Sequence, residues 1–232
     1  MSLKKAAIFA GLGLLVMTLS WLSADYLVFQ KLTALDNVTQ VANNIRANTI
    51  QFRMGIFGLL IVVFCDLAVA WALYFFFKPV NQSISLFAAW LRLVYTLFLG
   101  IALLNYLDIL QLTNEADYLK VFQIDVLNAE IMLSIHSFYS DWHFGLIFFG
   151  FHLALLGYLA FKASYVPKVI GLLLMVTGAS YLIDYTGKLL SPDFEVTYSL
   201  ILGWGELIFM FWLLIKGSAV REQTRLNRCL YL

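Results

Sequence analysis

The sequence predicts an all-α fold, a polytopic membrane bundle of six helices with amphipathic outer connections. Three observations carry this. Only 12% of residues are charged against 62% hydrophobic, with mean hydropathy +0.85, and a soluble domain carries about 25% charged residues. Six apolar runs are 18 residues or longer, the length at which a helix becomes a membrane-span candidate. None of the runs alternates with a period of two, which excludes transmembrane strands. The composition rules out a soluble enzyme, a disordered chain and a collagen-like fibre. A formal net charge of +1 and the absence of a basic tract give no basis for nucleic-acid binding.

The expected spans run over Ala6–Val28, Met54–Phe77, Ile84–Leu107, Trp142–Phe161, Val169–Gly187 and Val196–Ile215, in one domain over residues 1–232. Only a helix satisfies its own backbone in lipid. The start, Met1-Ser2-Leu3-Lys4-Lys5 and an apolar run, has the form of a signal peptide. The run continues to about Val28, which suits a first span better. Pro79 and Pro167 fall in short connections, where helices should stop. Those two connections make spans two and three, and spans four and five, antiparallel neighbours.

The long connections lie on the other side. Gln30–Arg53 is Asn-rich, with Val38, Val41 and Ile45 spaced for a short helix lying on the interface. Asp108–Asp141 carries Leu119, Phe122, Val126 and Ile131, which suggests a helix packed across the outer mouth. Trp21, Tyr26, Tyr106 and Trp142 fall where an aromatic belt belongs. No internal repeat and no matching pair of broken helices, as in many transporters, is seen.

Basic residues set the direction. One side holds Lys4, Lys5, Lys78, Lys162, Lys168, Lys216, Arg221, Arg225 and Arg228, with Glu222 as its acid. The other holds Lys31, Arg46, Arg53, Lys120 and Lys188 among nine acids: Asp36, Asp108, Glu115, Asp117, Asp125, Glu130, Asp141, Asp193 and Glu195. The bias puts both termini in the cytoplasm, and the expected location is a bacterial cytoplasmic (inner) membrane.

Inside the spans a charge costs about 2.5–3.5 kcal/mol near a helix centre. The spans nonetheless contain Asp66, Arg92, His152, Asp184 and Glu206. Counted at 1.5 Å per residue from each cytoplasmic end, Asp66 lies about 16 Å deep, Arg92 about 12 Å, His152 and Glu206 about 14 Å, and Asp184 about 22 Å. Four groups on four helices therefore share one level. Helical spacing adds a polar seam of Thr177, Ser180, Tyr181 and Asp184 on span five, Tyr95 and Thr96 beside Arg92, and Ser199, Gly203 and Glu206 on span six. Asp66–Arg92 is the natural ion pair. A contact of His152 with Glu206 would make a proton switch. The other reading is a buried ionic network that only fixes helix register.

Other chemistries find less support. His143 and His152 differ by nine residues and face opposite sides of one helix, and His136 lies about 10 Å from His143. HExxH, any His pair at i, i+4, and GxSxG are absent. Cys65 and Cys229 form no CxxC or Cys/His spacing. His152, Glu206 and Asp66 are suitable ligand types, but their spacing is silent, so no metal, cofactor or catalytic residue is assigned.

Several motifs resemble a bacterial family of six-helix integral membrane proteins classed only as a domain of unknown function. They are Cys65-Asp66-Leu67, Leu73-Tyr74, Lys78-Pro79-Val80-Asn81 and Ala88-Ala89-Trp90-Leu91-Arg92. They continue through Phe151-His152, Gly157-Tyr158-Leu159, Val166-Pro167-Lys168, Gly171 and Tyr181-Leu182, and end at Glu206, Trp212-Leu213 and Lys216-Gly217. The resemblance covers roughly residues 54–217 and implies fold and membrane location, without an activity.

The leading functional expectation is a small carrier or an ion- or proton-conducting protein. Asp66, Arg92, His152, Asp184 and Glu206 would form its midplane site, with Tyr95, Thr177 and Tyr181 in support. The competing class is an accessory or structural subunit whose ionic layer locks packing, and a third is an intramembrane enzyme. Expected partners are the lipid bilayer, a small ligand or ion, and further copies or a larger membrane complex.

Overall fold

In the computed structural model, residues 1–33, 37–114, 116–191, 194 and 198–217 are described. Every regular element among them is helical. Helix α1 covers Leu3–Thr33 and contains a π-helical stretch at Asp25–Phe29. Then follow α2 (Val38–Ala47), α3 (Thr49–Phe77), α4 (Gln82–Leu112), a 3₁₀ turn (Asp117–Val121), α5 (Ile124–Lys162) and α6 (Lys168–Leu190). Two short helices close the described chain, α7 (Tyr198–Leu202) and α8 (Gly205–Ile215). Five helices, α1 and α3–α6, are long and apolar enough to cross a membrane.

Their exteriors suit lipid. Phe64, Trp71, Phe87, Trp90 and Leu97 are all more than half exposed, while Asp66, Arg92 and Asp184 are wholly buried. An apolar outside around a charged inside is the inverse of a soluble protein.

Two expected elements differ. The sixth span is not one helix: α7 and α8 are separated at Gly203-Trp204. Val196, Asp36, Glu115, Asp193, Glu195 and the tail residues Arg221, Glu222, Arg225, Arg228 and Cys229 lie outside the described residues. The expected helix across the outer mouth is the beginning of α5. This 39-residue helix absorbs most of the connection. At 1.5 Å per residue it is about 58 Å long, against a hydrocarbon core of about 30 Å.

The helices pack as two compact units, with the division falling inside α1, α3, α4 and α5. One comprises Val16–Cys65 and Thr96–Gly145. Its core joins α2 to long-helix segments. Val41, Ala42 and Ile45 of α2 are wholly buried, together with Phe52, Tyr106, Ile109 and Ile131. The apolar face of α2 is therefore filled by protein, not laid on a membrane interface. Asn37 caps the helix, its side chain accepting from the Gln40 amide at 3.1 Å. Tyr106 is likewise no belt residue. Its ring lies 4.0 Å from Phe138 at 8° between planes, and Phe29 and Phe52 complete the cluster. Trp21 and Trp142 pack on each other at 4.5 Å.

The other unit comprises Met1–Leu15, Asp66–Tyr95 and Leu146–Leu232. The α3–α4 hairpin turns at Lys78–Asn81, where Pro79 cannot continue the ladder. Asn81 accepts from the Ile84 amide at 3.0 Å and caps α4. Ser85 donates to the Tyr74 carbonyl at 2.9 Å, which pins the hairpin. Tyr165, between α5 and α6, donates to the Phe76 carbonyl at 2.6 Å. Burial raises its phenol above the ordinary value, so it stays a donor.

Helices α5 and α6 meet backbone to backbone. A Cβ on Gly157 would lie 2.7 Å from the Gly171 carbonyl oxygen, and one on Gly178 would lie 2.7 Å from that of Gly150. Gly150 and Gly157 on α5, and Gly171 and Gly178 on α6, are each seven residues apart. Two helical turns thus bring the next small residue back to the seam, as in close-packed membrane helices.

Candidate functional site

The site lies within the second of these units. Asp66 stands 11 residues before the end of α3 and Arg92 ten residues after the start of α4. The tight hairpin therefore sets them level. His152 stands ten residues before the end of α5, and Glu206 nine before the end of α8.

Arg92 joins the other three. Its Nε donates to Asp66 Oδ1 at 2.8 Å, and its Nη2 forms an ion pair with the same oxygen at 2.6 Å. Its Nη1 donates to Glu206 Oε1 at 2.8 Å and approaches His152 Nε2 at 3.3 Å. The other ring nitrogen, Nδ1, lies 2.8 Å from the Ala88 carbonyl oxygen. A carbonyl only accepts, so Nδ1 carries the hydrogen. A guanidinium only donates, so Nε2 accepts. His152 is the neutral Nδ1–H tautomer by this network. The expected His152–Glu206 contact is replaced by a shared contact with Arg92.

With both carboxylates ionised, the cluster carries one positive and two negative charges. It has one negative charge in excess. Asp66, Arg92 and His152 are essentially inaccessible, while the Glu206 side chain is 18% exposed. Asp66 Oδ2 is buried and accepts no hydrogen bond among the described residues. A buried, unsatisfied carboxylate oxygen is costly, at roughly 1–3 kcal/mol or more. The guanidinium also lies 5.4 Å from the Phe149 ring centroid, in cation–π range. Tyr95 and Tyr181 pack on that ring at 4.7 and 5.6 Å, so both line the apolar cover of the cluster.

Thr177 and Asp184 do different work on α6, against which α7 and α8 both pack. Asp184 accepts the Tyr198 and Ser199 amides at 2.9 and 2.6 Å, capping α7. The Thr177 hydroxyl donates to the Leu202 carbonyl at 2.7 Å and accepts from the Gly205 amide at 3.2 Å. One hydroxyl thereby satisfies both backbone ends left open by the interruption. A Cβ on Gly205 would run into that hydroxyl. Glu206 follows at once, in the first turn of α8, where a negative charge is favoured. The interruption thus fixes where Glu206 starts its reach toward Arg92. The expected Ser199–Gly203–Glu206 stripe presupposed an unbroken helix and is superseded by this arrangement.

Sequence reasoning missed the Ala88 carbonyl, Phe149 and the interruption. Gly203-Trp204-Gly205 was the available signal for the last, since two glycines flank an interfacial residue type. No group of three or more His, Cys, Asp or Glu positioned to hold a metal exists among the described residues. The Arg92 guanidinium stands where Asp66, His152 and Glu206 converge, which is where a cation would bind.

No solved structure matches the chain. An uncharacterized protein of Archaeoglobus fulgidus is 32% identical over 168 residues, which cover 72% of this chain and 86% of that protein. A family model described as Domain of unknown function (DUF4386) matches residues 9–217. That span contains the whole α3–α8 segment bearing Asp66, Arg92, His152 and Glu206, and by it the chain belongs to this family of unknown function.

Proposed function

We propose that the protein is a small carrier or proton-conducting membrane protein whose exchangeable site is the Asp66–Arg92–Glu206 cluster. The observation that carries this reading is the sharing of one buried arginine between two carboxylates. The surplus negative charge in an apolar interior calls for a proton or a cation. Asp66 Oδ2 offers an unoccupied acceptor, and Glu206, partly exposed, offers the entry. His152, held neutral between Arg92 and Ala88, acts as a positioning residue for the guanidinium.

In this reading α7 and α8 together form a sixth crossing. Such a crossing brings both termini to the cytoplasmic side. The excess of lysine and arginine on that side supports the orientation in a bacterial cytoplasmic membrane. The partners are lipid and a small ion or ligand, with assembly into oligomers or a larger complex as a further part of the proposal.

A second reading has its own observation. The full burial of Asp66, Arg92 and His152 suits an ionic lock that sets helix register without transport. Proteoliposomes separate the two. With a potassium diffusion potential and an internal pH dye, the proposal expects proton flux above that of empty vesicles, abolished by Glu206→Gln in folded protein. Flux equal to empty vesicles, or unchanged by Glu206→Gln, overturns it in favour of the lock.

A further inference from the structure

The unit formed by Val16–Cys65 and Thr96–Gly145 contains a cavity of about 530 Å³ that the cluster does not use. That size lies within the range of about 300–1,000 Å³ typical of ligand pockets. Its apolar walls include Leu112, Phe122, Ile124 and Leu127, contributed by the end of α4, the following connection and the start of α5. Two cationic residues line it as well, Arg46 of α2 and Lys120.

Arg46 is the unusual member. Its Nη1 donates to Asn43 Oδ1 at 3.1 Å. Its Nη2 is shielded and has no hydrogen-bond acceptor among the described residues. A guanidinium nitrogen withdrawn from water without an acceptor is an unfavourable arrangement unless an anion completes it. Desolvation lowers the Arg46 pKa below its ordinary value, in the direction that a bound anion would reverse. Lys120 is the more exposed cation and pairs with Asp117 at 2.6 Å, which is itself almost fully exposed.

We propose that this cavity binds an anionic amphiphile, with its carboxylate or phosphate headgroup on Arg46 and its hydrocarbon chain along Leu112, Phe122, Ile124 and Leu127. The combination of a cation bearing one shielded, unpartnered guanidinium nitrogen with apolar walls selects for both parts of such a molecule. Neither an uncharged alkyl chain nor a free inorganic anion satisfies both. The proposal is independent of the reading of the Asp66–Arg92–Glu206 cluster.

Native mass spectrometry of the full chain in a nonionic detergent tests it, with four probes: dodecanoate, dodecyl phosphate, dodecanol and inorganic phosphate. The expected result is saturable one-to-one binding of dodecanoate or dodecyl phosphate, and none of dodecanol or inorganic phosphate. The preference between the two binders tells a fatty-acid site from a phosphate-headed lipid site. Arg46→Gln should weaken the favoured binder at least tenfold with melting temperature unchanged, and Arg46→Lys should restore part of it. Equal binding of dodecanol shows a merely greasy cleft and overturns the proposal. So does binding that is indifferent to Arg46→Gln, or an absence of saturable binding by either amphiphile.

Discussion

His152 donates from Nδ1 to the carbonyl of Ala88, about one helical turn before Arg92 on α4, and turns its other ring nitrogen to the Arg92 guanidinium. One neutral imidazole thus ties α5 to α4 without setting a second positive charge beside the guanidinium. Nitrogen-15 NMR of the labelled ring at pH 7 should report the neutral Nδ1–H form. An imidazolium signal would contradict the network. His152→Ala should lower stability by about 1–3 kcal/mol, since it removes two buried hydrogen bonds, read as a lower melting temperature in detergent.

Arg92 holds two carboxylates that pair with no other cation among the described residues. Arg92→Met should therefore destabilise by about 3–5 kcal/mol, because it strands buried charge. Adding Asp66→Asn and Glu206→Gln to Arg92→Met removes the stranded charges, and most of the loss should return. Thermal unfolding of the wild type, Arg92→Met and the triple variant checks this. A triple variant as unstable as Arg92→Met would show that the damage is one of shape, not charge.

At the α7–α8 interruption, Thr177→Val keeps the side-chain shape but loses the hydroxyl that serves Leu202 and Gly205. A loss of about 1–3 kcal/mol is expected, with faster amide exchange at Gly205. Thr177→Ser retains both bonds and should exchange at the wild-type rate.

Glycine substitutions should diverge by position. Gly157→Ala puts a methyl group 2.6 Å from the Met175 amide nitrogen, against backbone that cannot move aside cheaply. It should destabilise by more than about 1 kcal/mol. Gly100 has nothing within 4 Å of the added atom. Gly100→Ala should stabilise its helix by about 0.5–1 kcal/mol. Melting temperatures that move in the same direction for both would count against the backbone contact of α5 with α6.

Much of this architecture can be read from the chain because lipid imposes a simple rule. Apolar runs ending at Lys78-Pro79 and at Pro167-Lys168 fix helix ends, and counting back from those ends sets Asp66, Arg92 and His152 at one level. What hydropathy reports is the preference for lipid over water, not helix continuity. Trp204 and the flanking glycines are apolar enough to hide an interruption, and the polar residues that stitch it, Thr177 and Asp184, sit on another helix. Extension of a helix past its apolar run is hidden for the opposite reason. The first turns of α5 carry Asp125, Asn128 and Glu130, so the apolar run stops although the helix does not. The role of Tyr106 depends on residues far along the chain. An aromatic near a span end suits an interfacial belt equally well until Phe29, Phe52 and Phe138 are seen around it.

The central claim is that one arginine between two buried carboxylates leaves room for one exchangeable proton. Infrared spectroscopy of the protein in bilayers at neutral pH addresses it most directly. The account predicts a protonated-carboxyl stretching band that shifts in deuterated water and disappears in either Asp66→Asn or Glu206→Gln. A spectrum without such a band, or a band untouched by both substitutions and by deuterium, would contradict it.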